Sequence, residues 1–307
     1  MVWSCLVSIL PGMAQTEKLT DYVNPFVGTD GYGNVYPGAQ IPFGGIQISP
    51  DTDSRFYDAA SGYKYNHLTL MGFSLTHLSG TGIPDLGDFL FIPGTGEMKL
   101  EPGTHEDPDQ GYRSRYSHDK EWASPNYYAV ELADYGVKAE MTSGVRSGMF
   151  RFTYPESDNA FIMIDMNHTL WQSCEWSNLR MINDSTITGY KLVKGWGPER
   201  HVYFTATFSK KLTGLRFVQD KKPVIYNTSR FRSSYEAWGK NLMACISFDT
   251  KAGEEVTVKT AISAVSTDGA RNNMKELDGL TFNELRAKGE ALWEKELGKY
   301  TVTADRK

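Results

Sequence analysis

The sequence has few cysteines, no basic run and no long apolar run, and each shortage narrows what a 307-residue chain of this kind does. Three cysteines are too few for a disulfide scaffold. Cys5 lies in an apolar leader, while Cys174 and Cys245 either pair in an oxidising compartment or stay as buried thiols. No cluster of Lys and Arg resembles a nucleic-acid footprint, and the net charge is −5. After the first residues no apolar stretch approaches the roughly 18 needed to span a membrane. His67, His77, His105, His118, His168 and His201 show no metal-ligand spacing, and no Ser-His-Asp arrangement is readable. Gly80-Thr81-Gly82 lacks the Lys-Ser/Thr pair of a phosphate loop. Internal repeats and low-complexity linkers are missing.

What is plentiful is aromatic and glycine: 17 Tyr, 15 Phe, 7 Trp and 29 Gly. That composition favours strands joined by many turns. Most of the rings belong in a core, and a few suit stacking planes for sugars. At the start, Val2 to Leu10 is apolar, and small Gly12 and Ala14 precede polar Gln15. Residues 1–14 therefore read as a signal peptide without the usual positive n-region, which predicts a secreted or periplasmic protein.

Residues 19 to about 115 read as short strands and long shaped loops, where binding residues tend to sit. From about 125 a period of two takes over. Tyr128, Val130 and Leu132 share a face, as do Val137, Ala139 and Met141, then Phe150, Phe152 and Tyr154. Further sets are Ile162 to Met166, Val202 to Phe208, Leu242 to Phe248, and Val256 to Ile262. Such runs with no helices between them predict an all-β, two-sheet antiparallel β-sandwich over residues 20–265. After 265 the spacing turns helical: Asp268 is expected to cap a helix through Leu277. Thr281 and Glu284 form a capping box for a second, whose stripe is Phe282, Leu285, Leu292, Trp293 and Leu297.

Three loop segments carry the candidate chemistry. They are Asn24-Pro25-Phe26-Val27-Gly28-Thr29-Asp30, then Tyr36 to Gly44 leading to Ser49-Pro50-Asp51-Thr52, and Gly72 to Asp88. Each sets glycines, which allow close backbone approach, beside short polar side chains and an aromatic ring. The pattern suits sugar recognition and equally suits plain β-turns. Asp85 and Asp88, three apart, either flank a sugar or cation or cap turns.

These segments resemble the amino-terminal domain of glycoside hydrolase family 92. The likeness rests on Asn24 to Thr29, on Pro42-Phe43-Gly44 with Ser49-Pro50-Asp51-Thr52, and on His77-Leu78-Ser79-Gly80-Thr81-Gly82 running into Asp85-Leu86-Gly87-Asp88. Gly195-Trp196-Gly197 before Tyr203 to Lys210, and Ile262 to Ser266 before Ala270 to Glu276, agree in order. Ala291-Leu292-Trp293 resembles the family's linker helix. The resemblance implies a galactose-mutarotase-like supersandwich, short linker helices over 266–307, and an (α/α) six-hairpin barrel as packing partner. It implies an inverting, calcium-dependent α-mannosidase acting on terminal α-mannosides of a mannose-containing glycan. In that family the barrel carries the catalytic carboxylates and the calcium ligands. No catalytic residue and no metal ligand is therefore assigned here, and the chain alone is expected to be inactive. The alternative is a freestanding carbohydrate-binding sandwich. Leu75 departs from relatives that often have His before the Thr-His pair. The expected substrate-binding set is Phe26, Gly28, Thr29, Asp51, His77, Ser79, Gly80, Thr81, Asp85, Asp88 and Trp196, converging on one end of the sandwich. The linker stripe and this end are expected to be exposed.

Overall fold

In the computed structural model, which describes residues 17–302 apart from 56 and 226–234, the period-two runs are strands. The leader lies outside the described residues. The early strands are short: β1 (Ser49–Asp51), β2 (Thr69–Leu70), β3 (Gly72–Ser74), β4 (Leu90–Thr95), β5 (Ser114–Arg115) and β6 (Glu121–Ser124). Longer ones follow: β7 (Tyr127–Leu132), β8 (Val137–Ser143), β9 (Ser147–Tyr154), β10 (Ser157–Asp165), β11 (Ser173–Asn183) and β12 (Thr186–Lys194). The last are β13 (Arg200–Phe208), β14 (Gly214–Gln219), β15 (Lys222–Pro223), β16 (Glu236–Gly239), β17 (Leu242–Thr250) and β18 (Glu254–Ser263). Two helices close the chain, α1 (Thr267–Met274) and α2 (Phe282–Leu297).

The strands form a seven-stranded sheet, ordered β1-β3-β4-β10-β17-β14-β15, a nine-stranded sheet, ordered β16-β11-β12-β13-β18-β9-β8-β7-β6, and a small pair, β2-β5. Every ladder among the described residues is antiparallel. Alternation explains the packing: Ile162 and Ile164 of β10 and Phe150 and Phe152 of β9 turn inward into one core. Rings cross between the sheets, Phe91 on Phe150 at 4.9 Å and Phe89 on Phe204 at 4.5 Å between centroids. The outer face of the seven-stranded sheet is also covered, where Met98, Leu100 and Tyr112 pack over Phe161, Met163 and Met243.

The helices correct two expectations. Ser266, not Asp268, caps α1: its hydroxyl accepts from Gly269 N at 2.9 Å, while the Asp268 carboxylate pairs with Arg271. The helical segment ends at Met274 and gives way to a 3-10 turn through Leu277. The capping box of Thr281 and Glu284 is present in α2. Its stripe, however, is largely covered by the sandwich. Phe282 and Leu285 are buried with Tyr127, Ala129 and Met149, and Trp293 Nε1 donates to the Gln40 carbonyl at 2.7 Å. Leu292 stays exposed. Cys174 and Cys245 are both free and buried, and burial pushes the Cys245 thiol up to about 11.

Candidate functional site

The loops that carry the candidate segments are tied to one another by hydrogen bonds between residues far apart in sequence. Tyr65 N donates to Thr29 O at 3.0 Å, and Gly80 N donates to Asn34 O at 2.6 Å. Leu170 N donates to Leu86 O at 2.9 Å, and Gln172 Nε2 donates to Pro84 O at 2.6 Å. Beside these loops lie two buried knots of polar side chains, one around Asp51 and one around Asp88.

Asp51 ends β1 and is fully buried. Its Oδ1 accepts from His77 Nε2 and its Oδ2 from His168 Nε2, both at 2.8 Å. His77 Nδ1 meets the Gln47 carbonyl at 2.9 Å, and its Nε2 also lies 3.1 Å from the Ser74 hydroxyl, so both ring nitrogens are engaged. Burial alone would raise the Asp51 pKa. The neighbouring His77 charge and the hydrogen bonds from His168 and His77 outweigh it and hold the carboxyl well below the usual range. Gly62 seals this knot: its φ is +85°, and an added Cβ would lie 2.1 Å from Asp51 Oδ1. Only glycine accepts both the conformation and the approach.

Asp88 is also fully buried. Its Oδ1 lies 3.2 Å from Lys191 Nζ, and its Oδ2 accepts from Arg200 Nη1 at 2.5 Å and from Thr76 Oγ1 at 2.7 Å. Burial pushes this carboxyl up, but Lys191, then Arg200, outweigh it and hold the pKa down at about 2. Lys191 Nζ also donates to the His168 carbonyl, so His168 joins the knots through its ring on one side and its backbone on the other. Asp85 stands at the edge, 3.9 Å from Arg200 Nη2. Left-handed backbone at Leu86, Gly87 and Phe89 coils this loop tightly enough to present both aspartates.

The expected residues fall into three groups. Asp51, His77 and Asp88 form the buried floor, and Asp85, also buried, lies beside it with its Oδ1 accepting from Leu86 N at 2.6 Å. Gly28, Ser79 and Gly80 are exposed, Thr81 is half-buried with its hydroxyl on the Ile83 carbonyl, and Trp196 is 68% exposed. Trp196 shares the Asp85 end: a Cβ added to its neighbour Gly195 would lie 3.2 Å from Asp85 Oδ1. Thr29 and Phe26 turn inward instead. Thr29 is buried and donates to the Phe26 carbonyl, while the Phe26 ring packs against Tyr63 and Tyr65.

Sequence reasoning missed His168, Lys191, Arg200 and Gly62. A lysine and an arginine inside strands carry no signal of burial, and Gly62 looks like any turn glycine. A concavity of about 790 Å³ adjoins this end, bordered by His168, Trp171, Gln172 and Asp165. Among the described residues no group of three or more His, Cys, Asp or Glu side chains is arranged to hold a metal. Asp51 and Asp88 are already occupied by His, Lys and Arg, so these carboxylates do not suit a calcium ion.

A sequence profile of the glycosyl hydrolase family 92 N-terminal domain matches residues 22–263. An "uncharacterized secreted glycosidase" of Arthroderma benhamiae is 26% identical over 304 residues, covering 90% of this chain and 38% of that protein. The solved structure of the GH92 family glycosyl hydrolase CcMan5 superposes with a TM-score of 0.79 at 28% identity, over 93% of this chain and 38% of that one. The inverting mannosidase BT2199 of Bacteroides thetaiotaomicron has the same fold, with a TM-score of 0.76 at 24% identity, over 93% and 37%. The chain thus spans a little over a third of the length of each.

Proposed function

Because the chain belongs to glycosyl hydrolase family 92, as its N-terminal domain, we propose that the knotted end of the sandwich is one wall of the sugar pocket of a secreted glycosidase. Its substrates in this reading are terminal α-mannosides of glycans, cleaved with inversion. The carrying observation is the two-tier construction of that end. Two buried carboxylate knots fix the floor, Asp85 is buried at its edge, and Ser79, Gly80, Thr81 and Trp196 stand on the more exposed loops beside it. A pyranose offers apolar C–H faces to a ring such as Trp196 and hydroxyls to a carboxylate such as Asp85.

We assign the chemical step to residues outside this domain. Inversion needs one carboxyl that holds a proton and a second that activates water, about 6.5–9.5 Å apart. Asp88, held at about 2, and Asp51, held lower still, are permanent anions at neutral pH and serve as hydrogen-bond acceptors rather than acids. In this reading calcium is bound by an (α/α) barrel that packs on the sandwich. Exposed apolar side chains support a covering domain: Phe43 is 91% exposed, and its loop is tied to that of half-exposed Val145 by the Gly45 N to Val145 O bond.

The test is saturation-transfer NMR of the 307-residue chain with methyl α-mannoside, comparing wild type with Trp196→Ala and Asp85→Asn. Loss of the signal in both variants at unchanged melting temperature is expected. An equal signal in all three proteins refutes the assignment.

A further inference from the structure

The outer face of the nine-stranded sheet holds a second concavity, about 560 Å³, floored by strands and walled on one side by α1. Register places its floor residues in straight rows across the strands. Trp238 of β16 lies opposite Asn178 of β11, Asn178 opposite Tyr190 of β12, and Tyr190 opposite Tyr203 of β13. The next row runs Glu236, Arg180, Thr188. We propose that this groove is a second glycan-binding site, one that takes a neutral hexose oligosaccharide and is separate from the pocket at the sandwich end.

Three observations carry the proposal. First, the rings are presented rather than packed. Trp238 is 54% exposed, and Tyr190 and Tyr203 are half-exposed with centroids 4.9 Å apart. Half-exposed His201 stacks on Tyr190 at an interplanar angle of 20°, stiffening the platform. Second, the first row crosses four strands, three spacings of about 4.8 Å, so it runs about 14 Å and outreaches a single pyranose. Rings at both ends with an amide between them suit a chain of sugars lying across the strands. Third, the charged side chains of the groove cancel. Arg180 and Arg271 are balanced by Glu236 and Asp268, Arg271 is paired with Asp268, and Glu236 accepts from Asn178. A polyanion gains nothing from such a surface, whereas neutral hydroxyls find donors and acceptors. The two sites face opposite ways: Tyr190 points out into the groove, while adjacent Lys191 points in to Asp88.

The experiment is calorimetric titration of the 307-residue chain with mannotetraose and with cellotetraose, at low and high salt. Saturable binding of at least one probe is expected, with affinity independent of salt. Trp238→Ala and Tyr203→Ala should each weaken it by about tenfold or more. Trp238→Phe should keep most of the affinity, and Trp196→Ala should leave this binding intact, which separates it from the end pocket. If Trp238→Ala lowers the melting temperature, Arg180→Ala, at an exposed position of the same groove, gives the readout. No saturation with either probe overturns the proposal. So does a steep fall with salt, or binding that Trp196→Ala removes and the groove variants spare.

Discussion

Replacing Asp88 by asparagine removes one charge from the buried knot and changes almost nothing in shape. In the native protein Lys191 is wholly buried, and its ammonium is met by Asp88 at 3.2 Å, the His168 carbonyl and the face of Phe89 at 5.5 Å. In the Asp88→Asn variant the ammonium keeps a carbonyl and a ring but no counter-charge. Leaving a buried charge uncompensated costs about 3–5 kcal/mol. Arg200, a quarter exposed, can turn to water and adds little. For a domain of this size about 1 kcal/mol moves the melting temperature by roughly 2–4 °C, so a drop of about 6–20 °C is expected. Adding Lys191→Met should recover more than half of it, since an apolar pair replaces a broken ionic one. The pH dependence has a fixed sign. The folded Asp88 pKa, about 2, lies below the unfolded value near 3.8, so its stabilisation is full above pH 4 and fades as pH falls towards 2. The gap between wild type and Asp88→Asn should close over that interval. Differential scanning calorimetry of the three proteins decides it. A loss below about 1 kcal/mol, the scale of an exposed pair, or strictly additive losses, would refute the account of the knot.

Gly62→Ala must strain both a φ of +85° and a 2.1 Å contact with Asp51, and should cost at least about 2 kcal/mol by urea denaturation. It should also shift the His77 ring resonances, which a remote destabilising mutation would leave in place. Thr281→Ala removes the N-cap of α2 and should cost about 1 kcal/mol, with Thr281→Ser restoring it. Chelating calcium should leave the melting temperature of this chain unchanged; a fall on adding chelator would place a calcium site in this domain.

The sandwich was legible wherever one strand face is uniformly apolar, as in β7 to β10, β13, β17 and β18. β11 and β12 were not, although they are among the longer strands. Their outer face carries Trp176, Arg180 and Tyr190, and their buried face includes Ser177, Gly189 and Lys191, so hydrophobicity does not alternate. Polar residues are buried there because a neighbouring strand and loop supply partners: Ser177 donates to Gly239 O of β16 and Lys191 meets Asp88. Pattern reading assumes that burial is apolar, and it fails where burial is ionic. The α1 cap was misplaced for a related reason. Ser266 and Asp268 are both good caps by type, and only the path of the chain leaving β18 decides which oxygen reaches the free N–H groups.

The same limit shaped the reading of the site. Residue type drew Asp51, His77, Asp85, Asp88 and Trp196 together; His77 contacts Asp51, Arg200 reaches both Asp85 and Asp88, and Gly195 beside Trp196 approaches Asp85. Type alone does not distinguish a side chain that meets a ligand from one that holds the loop beneath it. Burial does: a carboxylate with no exposed surface, held by two histidine rings or by a lysine and an arginine, is out of a sugar's reach, so Asp51 and Asp88 act through the loops they anchor. Trp196, exposed on a loop whose neighbour Gly195 approaches Asp85, has the opposite character. Mutating it should be nearly neutral for stability, within about 0.5 kcal/mol by calorimetry, because it buries little. Floor and rim therefore separate experimentally. Floor variants lower the melting temperature before they touch affinity, and rim variants do the reverse. If Trp196→Ala instead lowered the melting temperature as much as Asp88→Asn does, its ring would be packing and not presentation, and the end of the sandwich would have no aromatic plane to offer a sugar.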